Sequence, residues 1–304
     1  MLTCDHYLSP ASLADALAAA AAAPDFRFVA GATDLLPWAR EGRAGDVHVP
    51  VMIDVANIPE LKEVRVAEGR VWLGAATPLQ RFLDHVDLIG AMPGMPDCAI
   101  WFADSQIRES ATIGGNIVNA SPAADGIPPL LTANAVVELA ALRAGAVRRR
   151  RMPLADFITG PGRTVAERDE IVVGIACDAL NGYGGAFEKV GHRRSLVIST
   201  VCLSVVVRIG AEEALEDVRL AVGGVGPVPK RMTEIERALT GHPLTSDGLR
   251  EVAGLCDGFV RSRSRQDYRK SVVPGFLRRG LVKAMRRAGA SAAMGAIAEE
   301  VADD

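Results

Sequence analysis

The sequence predicts an α+β protein built from two unequal units. Three observations carry that reading. Through residue 180, short strand-like runs are interspersed with helix signals. Beyond it, strands near 185–190, 197–209 and 216–223 precede helices near 230–239, 245–258 and 265–286. That order suits a small antiparallel sheet covered by helices. Between the two patterns, Asn181-Gly182-Tyr183-Gly184-Gly185 breaks the chain. The expected units are 1–180 and 181–288, with 289–304 as an alanine-rich, acidic tail.

The elements follow in order. Ser9-Pro10 opens a helix with Ser9 as its cap and Pro10 in the first turn, and Pro24 ends it. Phe26-Arg27-Phe28-Val29-Ala30 reads as a strand, and Leu35-Leu36 with Trp38 start the next element. Val51-Met52-Ile53-Asp54-Val55 is a second short strand. Residues 61–66 and 70–75 form a β-pair around Glu68-Gly69. Thr77-Pro78-Leu79 begins a helix with Thr77 as N-cap, and 90–110 is irregular or helical. Pro128-Pro129 start a helix, a strand covers 135–139, and Gly160-Pro161-Gly162-Arg163 is a loop before the strand at 170–175.

Composition excludes several functions. With 49% hydrophobic and 23% charged residues, the 304-residue chain can bury a large core without staples. Its net charge of −3 gives no global attraction for nucleic acid. The five cysteines are far apart and form no C-x-x-C pair, so they read as buried small hydrophobes and not as metal ligands. Widely spaced free thiols, no targeting segment and no apolar run of roughly 18 residues make a cytoplasmic location the expectation. Arg148-Arg149-Arg150-Arg151 lacks aromatic neighbours. It reads as a solvated strand end, or an interface with an acidic partner, more readily than as a nucleic-acid patch.

Two glycine-rich segments remain. Ala30-Gly31-Ala32-Thr33-Asp34-Leu35 follows a strand run, and residues 112–126 hold Thr112-Ile113-Gly114-Gly115-Asn116 with Ser121 and Asp125. Glycines allow sharp turns and close approach of a ligand, and successive backbone N–H groups can hold phosphate. Neither spacing is a dinucleotide fingerprint or a P-loop. Two such loops on neighbouring elements could grip a dinucleotide's pyrophosphate from both sides, or could simply be turns. Gly223-Gly224-Val225-Gly226-Pro227 is a turn, because its prolines remove the donors a phosphate would need.

These two segments resemble those of the FAD-binding medium subunit of the molybdenum hydroxylases, the xanthine dehydrogenase and carbon monoxide dehydrogenase family. Residues 160–164 with Glu170-Ile171, residues 187–194, and Gln266-Asp267-Tyr268-Arg269-Lys270 with Leu277-Arg278-Arg279 are similar to further stretches of that family. The resemblance runs in family order over 2–286. It departs at Ala32, where a second glycine is common, and at Leu196-Val197-Ile198-Ser199, where an aspartate is frequent.

The resemblance implies a PCMH/VAO-type FAD-binding domain of two α+β subdomains, followed by a small α+β domain, with non-covalent FAD between them. Ala30, Gly31, Ala32, Thr33, Asp34, Leu35, Thr112, Ile113, Gly114, Gly115 and Asn116 would hold the pyrophosphate and ribityl chain. Ser121 and Asp125 would face hydroxyls, and Lys189 would lie near the isoalloxazine ring. Asp34 could instead cap the following helix, Asp125 the helix at 128, and Lys189 could be a solvated strand residue. His192 reads as a surface loop residue, and Trp38, Trp72 and Trp101 as core or interface. No catalytic residue and no metal ligand is assigned. The implied assembly is a heterotrimer, or two of them. A large partner subunit would hold molybdopterin, a small one two [2Fe–2S] clusters, and this chain would pass electrons to NAD+ or another acceptor. A stand-alone FAD oxidase and a non-redox assembly module are the alternatives. The absence of histidine in both loops argues against covalently linked flavin.

Overall fold

The structure is a computed structural model that describes residues 1–40, 47–193, 197–262 and 264–290. Arg194, Leu196 and the tail from residue 291 lie outside the described residues.

Helix Leu13–Ala22 is the first helix of the fold and follows the short strands Leu2–Thr3 and His6–Leu8. Its cap is Ser12, not Ser9: the Ser12 hydroxyl accepts from the Asp15 N–H at 3.1 Å. A cap must stand directly before the first helical residue, and Ser9 is too far upstream. Leu13, Ala16, Leu17 and Ala20 make one buried face. That face packs on a parallel sheet of His6–Leu8, Val51–Asp54 and Phe26–Val29, around Ile53, Ile58 and Leu61.

A five-stranded antiparallel sheet follows, in the order Val64–Ala67, Arg70–Gly74, Ile171–Asp178, Val136–Arg143, Ala146–Pro153. Short helices cover it, and Phe82, Met95, Ile113, Leu130 and Phe157 fill the space between. The arginine run lies on the outer strand Ala146–Pro153, and its counter-charges come from the same chain. Arg149 Nη1 donates to Glu138 at 2.8 Å and Arg149 also pairs with Glu60. Arg151 pairs with Glu138 at 2.5 Å and Arg150 with Glu170 at 2.6 Å. The run thus secures its own sheet.

Residues 77–80 do not start a helix. Thr77 O accepts from Ile113 N–H, and Pro78 bridges to Thr112, so this stretch pairs with the second glycine-rich segment. The helix begins later, at Arg81–Asp84.

The remaining strands form a four-stranded antiparallel sheet: Gly184–Val190, Val201–Ile209, Leu215–Gly223 and Lys230–Arg231. Helices Thr233–Leu239, Ser246–Leu255 and Gln266–Arg287 follow. The last helix lies on the sheet through Val273, Phe276, Leu277 and Leu281. Helix Ile127–Thr132 packs on the sheet's strands Val201–Ile209 and Leu215–Gly223, and Val206 and Ala221 join the first large core. Asp97 ties the two parts at the other end, accepting from Arg287 at 2.7 Å and Lys283 at 2.8 Å. The α+β class and the antiparallel sheet plus helices expected for the C-terminal part are both present. Among the described residues, no helix is long and apolar enough to cross a membrane.

Candidate flavin site

The first glycine-rich segment is a tight turn between strand Phe26–Val29 and helix Leu35–Arg40. Ala30 and Leu35 turn their side chains into the core, so only their backbone faces the turn. Ala32 adopts φ 53°, the left-handed region that a second glycine would occupy without cost. A Cβ on Gly31 would overlap the carbonyl oxygen of Ser110, so only glycine fits there. Among the described residues, the amides of 31–34 have no protein acceptor. A left-handed residue within such a run curls consecutive amides into an anion-binding concavity.

The second segment is built differently from the expected open loop. Thr112 caps a short helix, Ile113–Asn119, its hydroxyl accepting from Gly115 N–H at 3.1 Å. Gly114 N–H donates to Ala75 O at 2.8 Å, Ile113 N–H to Thr77 O at 3.0 Å and Asn116 N–H to Thr112 O at 3.0 Å. All four amides are therefore engaged within the chain. Gly114 is the position that needs glycine, since a Cβ there would lie 2.6 Å from Ala75. Neither Gly114 nor Gly115 has positive φ. What this segment offers a ligand is Asn116, whose Oδ1 is buried without a partner. An orphaned buried acceptor costs about 1–3 kcal/mol, and a donor from a bound molecule would remove that cost.

The two segments meet. Gly31 lies against Ser110, two residues before the cap Thr112. Asn119 Nδ2 donates to Asp34 Oδ2 at 2.7 Å, closing a clasp between them. Asp34 thus spends its carboxylate on the other segment, while its backbone carbonyl accepts from Trp38 N–H. Burial pushes the Asp34 carboxyl upward in pKa, and the Asn119 bond opposes that.

Asp125 sits at the far end of the second segment, 6% exposed. It does not cap helix Ile127–Thr132, whose N-cap is Gly126. Lys189 Nζ reaches Asp125 Oδ2 at 2.5 Å and also donates to Trp101 O at 3.2 Å. Ser199 Oγ donates to Asp125 Oδ1 at 2.5 Å. Lys189 is therefore a buried cation with a counter-ion, not a solvated strand residue. Burial pushes the Asp125 carboxyl up, and Lys189 and Ser199 counter it. The Cys98 thiol donates to Asp125 O at 3.2 Å. Ser121 accepts locally from Ala123 N–H at 3.3 Å.

Ser199, Asn119 and Trp101 have functional neighbours that sequence reasoning did not assign. Ser199 carried a signal, since it lies in the stretch that departs from the family pattern. Trp101 is 49% exposed, whereas Trp38 and Trp72 are half-buried. His192 is exposed and meets Arg265. Cys98, Cys177, Cys202 and Cys256 are buried, as expected, while Cys4 is only partly so. Burial pushes the Cys177 and Cys256 thiols up to about 12. Among the described residues, no group of three or more His, Cys, Asp or Glu could hold a metal ion.

Free amides beside a left-handed turn, and an orphaned acceptor on the helix clasped to it, suit a diphosphate carrying further donor groups. Residues 3–177 match the family described as FAD binding domain in molybdopterin dehydrogenase. Residues 186–284 match the CO dehydrogenase flavoprotein C-terminal domain. Fold and site thus define an FAD-binding oxidoreductase chain.

The glyceraldehyde dehydrogenase medium chain of Sulfolobus acidocaldarius is 30% identical over 273 residues, covering 88% of this chain and 93% of that one. The xanthine dehydrogenase FAD-binding subunit of Escherichia coli O157:H7 is 29% identical, covering 93% and 97%. A solved carbon monoxide dehydrogenase from Hydrogenophaga pseudoflava, lacking the Mo-pyranopterin moiety, superimposes with a TM-score of 0.83. It is 26% identical, covering 93% of this chain and 97% of that one. The chain belongs to the family of FAD-binding medium subunits of the molybdenum hydroxylases.

Proposed function

We propose that this chain is the electron relay of a heteromeric molybdenum hydroxylase. A small partner subunit would deliver electrons from [2Fe–2S] clusters, and a large molybdopterin-bearing subunit would hydroxylate the substrate. Electrons would leave to NAD+ or another acceptor, in the cytoplasm. The relatives named as medium chains support an assembly of this kind. Bound FAD would supply the exchange between one-electron and two-electron carriers.

The observation that carries the reading is the clasp. It ties the segment with the unengaged amides of 31–34 to the helix that carries the unpartnered Asn116 Oδ1. The amides would take the diphosphate, with Thr33 beside them, and Asn116 would accept from a hydroxyl or ring N–H. Gly31 and Gly114 let the backbones close up behind the site. Lys189 would lend its charge to the ring's environment, tempered by Asp125 and Ser199. Ser121 and the peptide around Asp125 would line the hydroxyl-bearing part of the ligand.

The test is the visible spectrum of the purified chain, before and after reconstitution with FAD. Absorption near ~450 nm that acid or heat releases supports non-covalent flavin. A colourless protein that takes up no FAD would sink the reading. Recovery of the chain from its host together with an iron–sulfur and a molybdopterin subunit tests the assembly.

A further inference from the structure

Arg269 closes a ring of contacts around Asp125. It stands half-buried in the first turn of helix Gln266–Arg287. Its Nη1 donates to the backbone carbonyls of Thr200 and Gly224, and its Nε donates to Ser264 O at 3.0 Å. Among the described residues it meets no carboxylate, whereas Arg149, Arg150, Arg219, Arg231 and Arg287 each do. Burial, with the Arg265 charge added, lowers its proton affinity. This guanidinium therefore serves backbone oxygens alone.

The first two carbonyls lead to opposite sides of Asp125. Thr200 N–H donates to Val190 O at 2.7 Å while Thr200 O accepts from Arg269, so this peptide is held from both faces. The residue before it, Ser199, donates to Asp125 Oδ1 at 2.5 Å. The residue before Val190, Lys189, donates to Asp125 Oδ2 at 2.5 Å. Gly224 is also held twice: its N–H donates to Pro122 O at 2.8 Å, and its carbonyl accepts from Arg269. Only glycine suits that turn, since its φ is 77° and a Cβ would lie 2.4 Å from Thr200 O. Pro122 is three residues before Asp125 in the second glycine-rich segment. The contacts thus run from Asp125 through Ser199, Thr200, Arg269, Gly224 and Pro122 back to Asp125. The ladder between strands Val201–Ile209 and Leu215–Gly223 ends at the pair Cys202–Gly223. Arg269 continues the tie past that end, where the two chains reach the second segment.

We propose that Arg269 is a positioning residue for the flavin site, acting through Ser199 on the Asp125–Lys189 pair; this rests on the flavin reading above. The Ser199 bond favours the ionised carboxylate and spreads its charge. More of the lysine's positive field then reaches the ring, which favours the reduced flavin. Without Arg269 the Thr200 peptide loses one of its two anchors, Ser199 leaves the carboxylate, and Asp125 offsets more of the lysine charge. Arginine suits the task because its planar fork meets two carbonyls in fixed directions, which an ammonium group on a flexible stem does not.

The test is a double-mutant cycle in the full, FAD-reconstituted chain. Arg269→Gln and Ser199→Ala should each shift the flavin midpoint potential to more negative values, read by reductive titration against a reference dye. The double variant should shift it no further than the larger single effect, because both changes act on one bond. Arg269→Lys should retain part of the wild-type value. Leu281→Ala, in the core beneath the same helix, should lower the melting temperature and leave the potential where it is. An unshifted Arg269→Gln, additive shifts in the double variant, or an equal shift in Leu281→Ala would overturn the proposal. If Arg269→Gln does not fold, Arg269→Lys completes the same cycle with Ser199→Ala. Urea unfolding of the flavin-free chain repeats the cycle on stability. Coupled losses at 269 and 199 in a chain that takes up no FAD would refute the flavin reading alone, and additive losses would remove the role of Arg269.

Discussion

Lys189 and Asp125, 64 residues apart in sequence, share a 2.5 Å contact in which both side chains are under one-tenth exposed. The lysine comes from the sheet of the C-terminal part and the aspartate from the end of the second glycine-rich segment. Ser199 occupies the other carboxylate oxygen. One buried carboxylate thus fixes where the C-terminal sheet meets the second glycine-rich segment.

Asp125→Asn should destabilise the protein by about 3–5 kcal/mol, because it strands a buried ammonium group. Urea unfolding of the flavin-loaded chain measures this. Replacing both partners, Asp125→Leu with Lys189→Met, should recover much of the loss. A double variant no better than the single one would show that the pair is not the source of the effect.

The glycines separate by what stands behind them. Gly31→Ala and Gly114→Ala would drive a Cβ into the Ser110 and Ala75 backbones, so both should lose FAD binding and stability. Gly115→Ala should be nearly neutral. Its Cβ would meet the Thr112 hydroxyl at 2.9 Å, weakening a cap worth about 1 kcal/mol, while alanine regains about 0.5–1 kcal/mol over glycine within a helix. Flavin content and melting temperature rank the three.

Ala32→Gly should keep FAD and raise the melting temperature slightly. A left-handed alanine costs about 1–2 kcal/mol, of which the extra entropy of an unfolded glycine takes back about 0.5–1 kcal/mol. A lower melting temperature would mean that the Ala32 methyl packs usefully against Val29 and Met52 in its small core.

Asn119→Ala should loosen the clasp and weaken FAD binding while leaving the fold intact, since the contact it removes is exposed. Equilibrium dialysis of FAD against the variant reads the effect. Unchanged affinity with lowered stability would make the clasp structural only.

Acid should unfold the chain through Asp97 and Glu138. Burial pushes both carboxyls up, but Arg287 with Lys283 outweighs it at Asp97, and Arg149 with Arg151 at Glu138. Both folded values therefore lie below the ordinary 3.8 and 4.5. Their contribution is complete above those values and is lost as pH falls through the folded ones. Asp34, raised, acts in the opposite sense. Urea midpoints measured between about pH 3 and pH 7 should fall at the acid end, and Asp97→Asn should flatten that fall.

Much of the fold was legible from periodicity. Most strands and helices after residue 184 fall near where alternation and helical spacing put them, but Lys230–Arg231 pairs as a strand and is not the start of the helix, which begins at Thr233, and the strand expected from 197 begins at Val201. The turn at Glu68-Gly69 and the turn at 223–227 were equally readable from glycine chemistry. Helix starts were less so. Ser9 and Thr77 both precede proline and mimic caps, yet Ser12 is the actual cap and Thr77 is drawn into pairing with Ile113.

The sequence by itself determined the flavin-family identity and the two segments proposed to hold the cofactor, since glycine and small polar residues at close-approach positions are written directly in the chain. It could not determine which amides remain free. That depends on acceptors far away in sequence: Ala75 and Thr77 engage residues 113 and 114, whereas the amides of 31–34 meet no protein acceptor among the described residues. Nor could it choose the partners of Asp34, Asp125 and Lys189. Each is a charged group whose role is set by what lies within about 3 Å of it, and only packing the C-terminal sheet against the first large core brings Lys189 and Ser199 to Asp125.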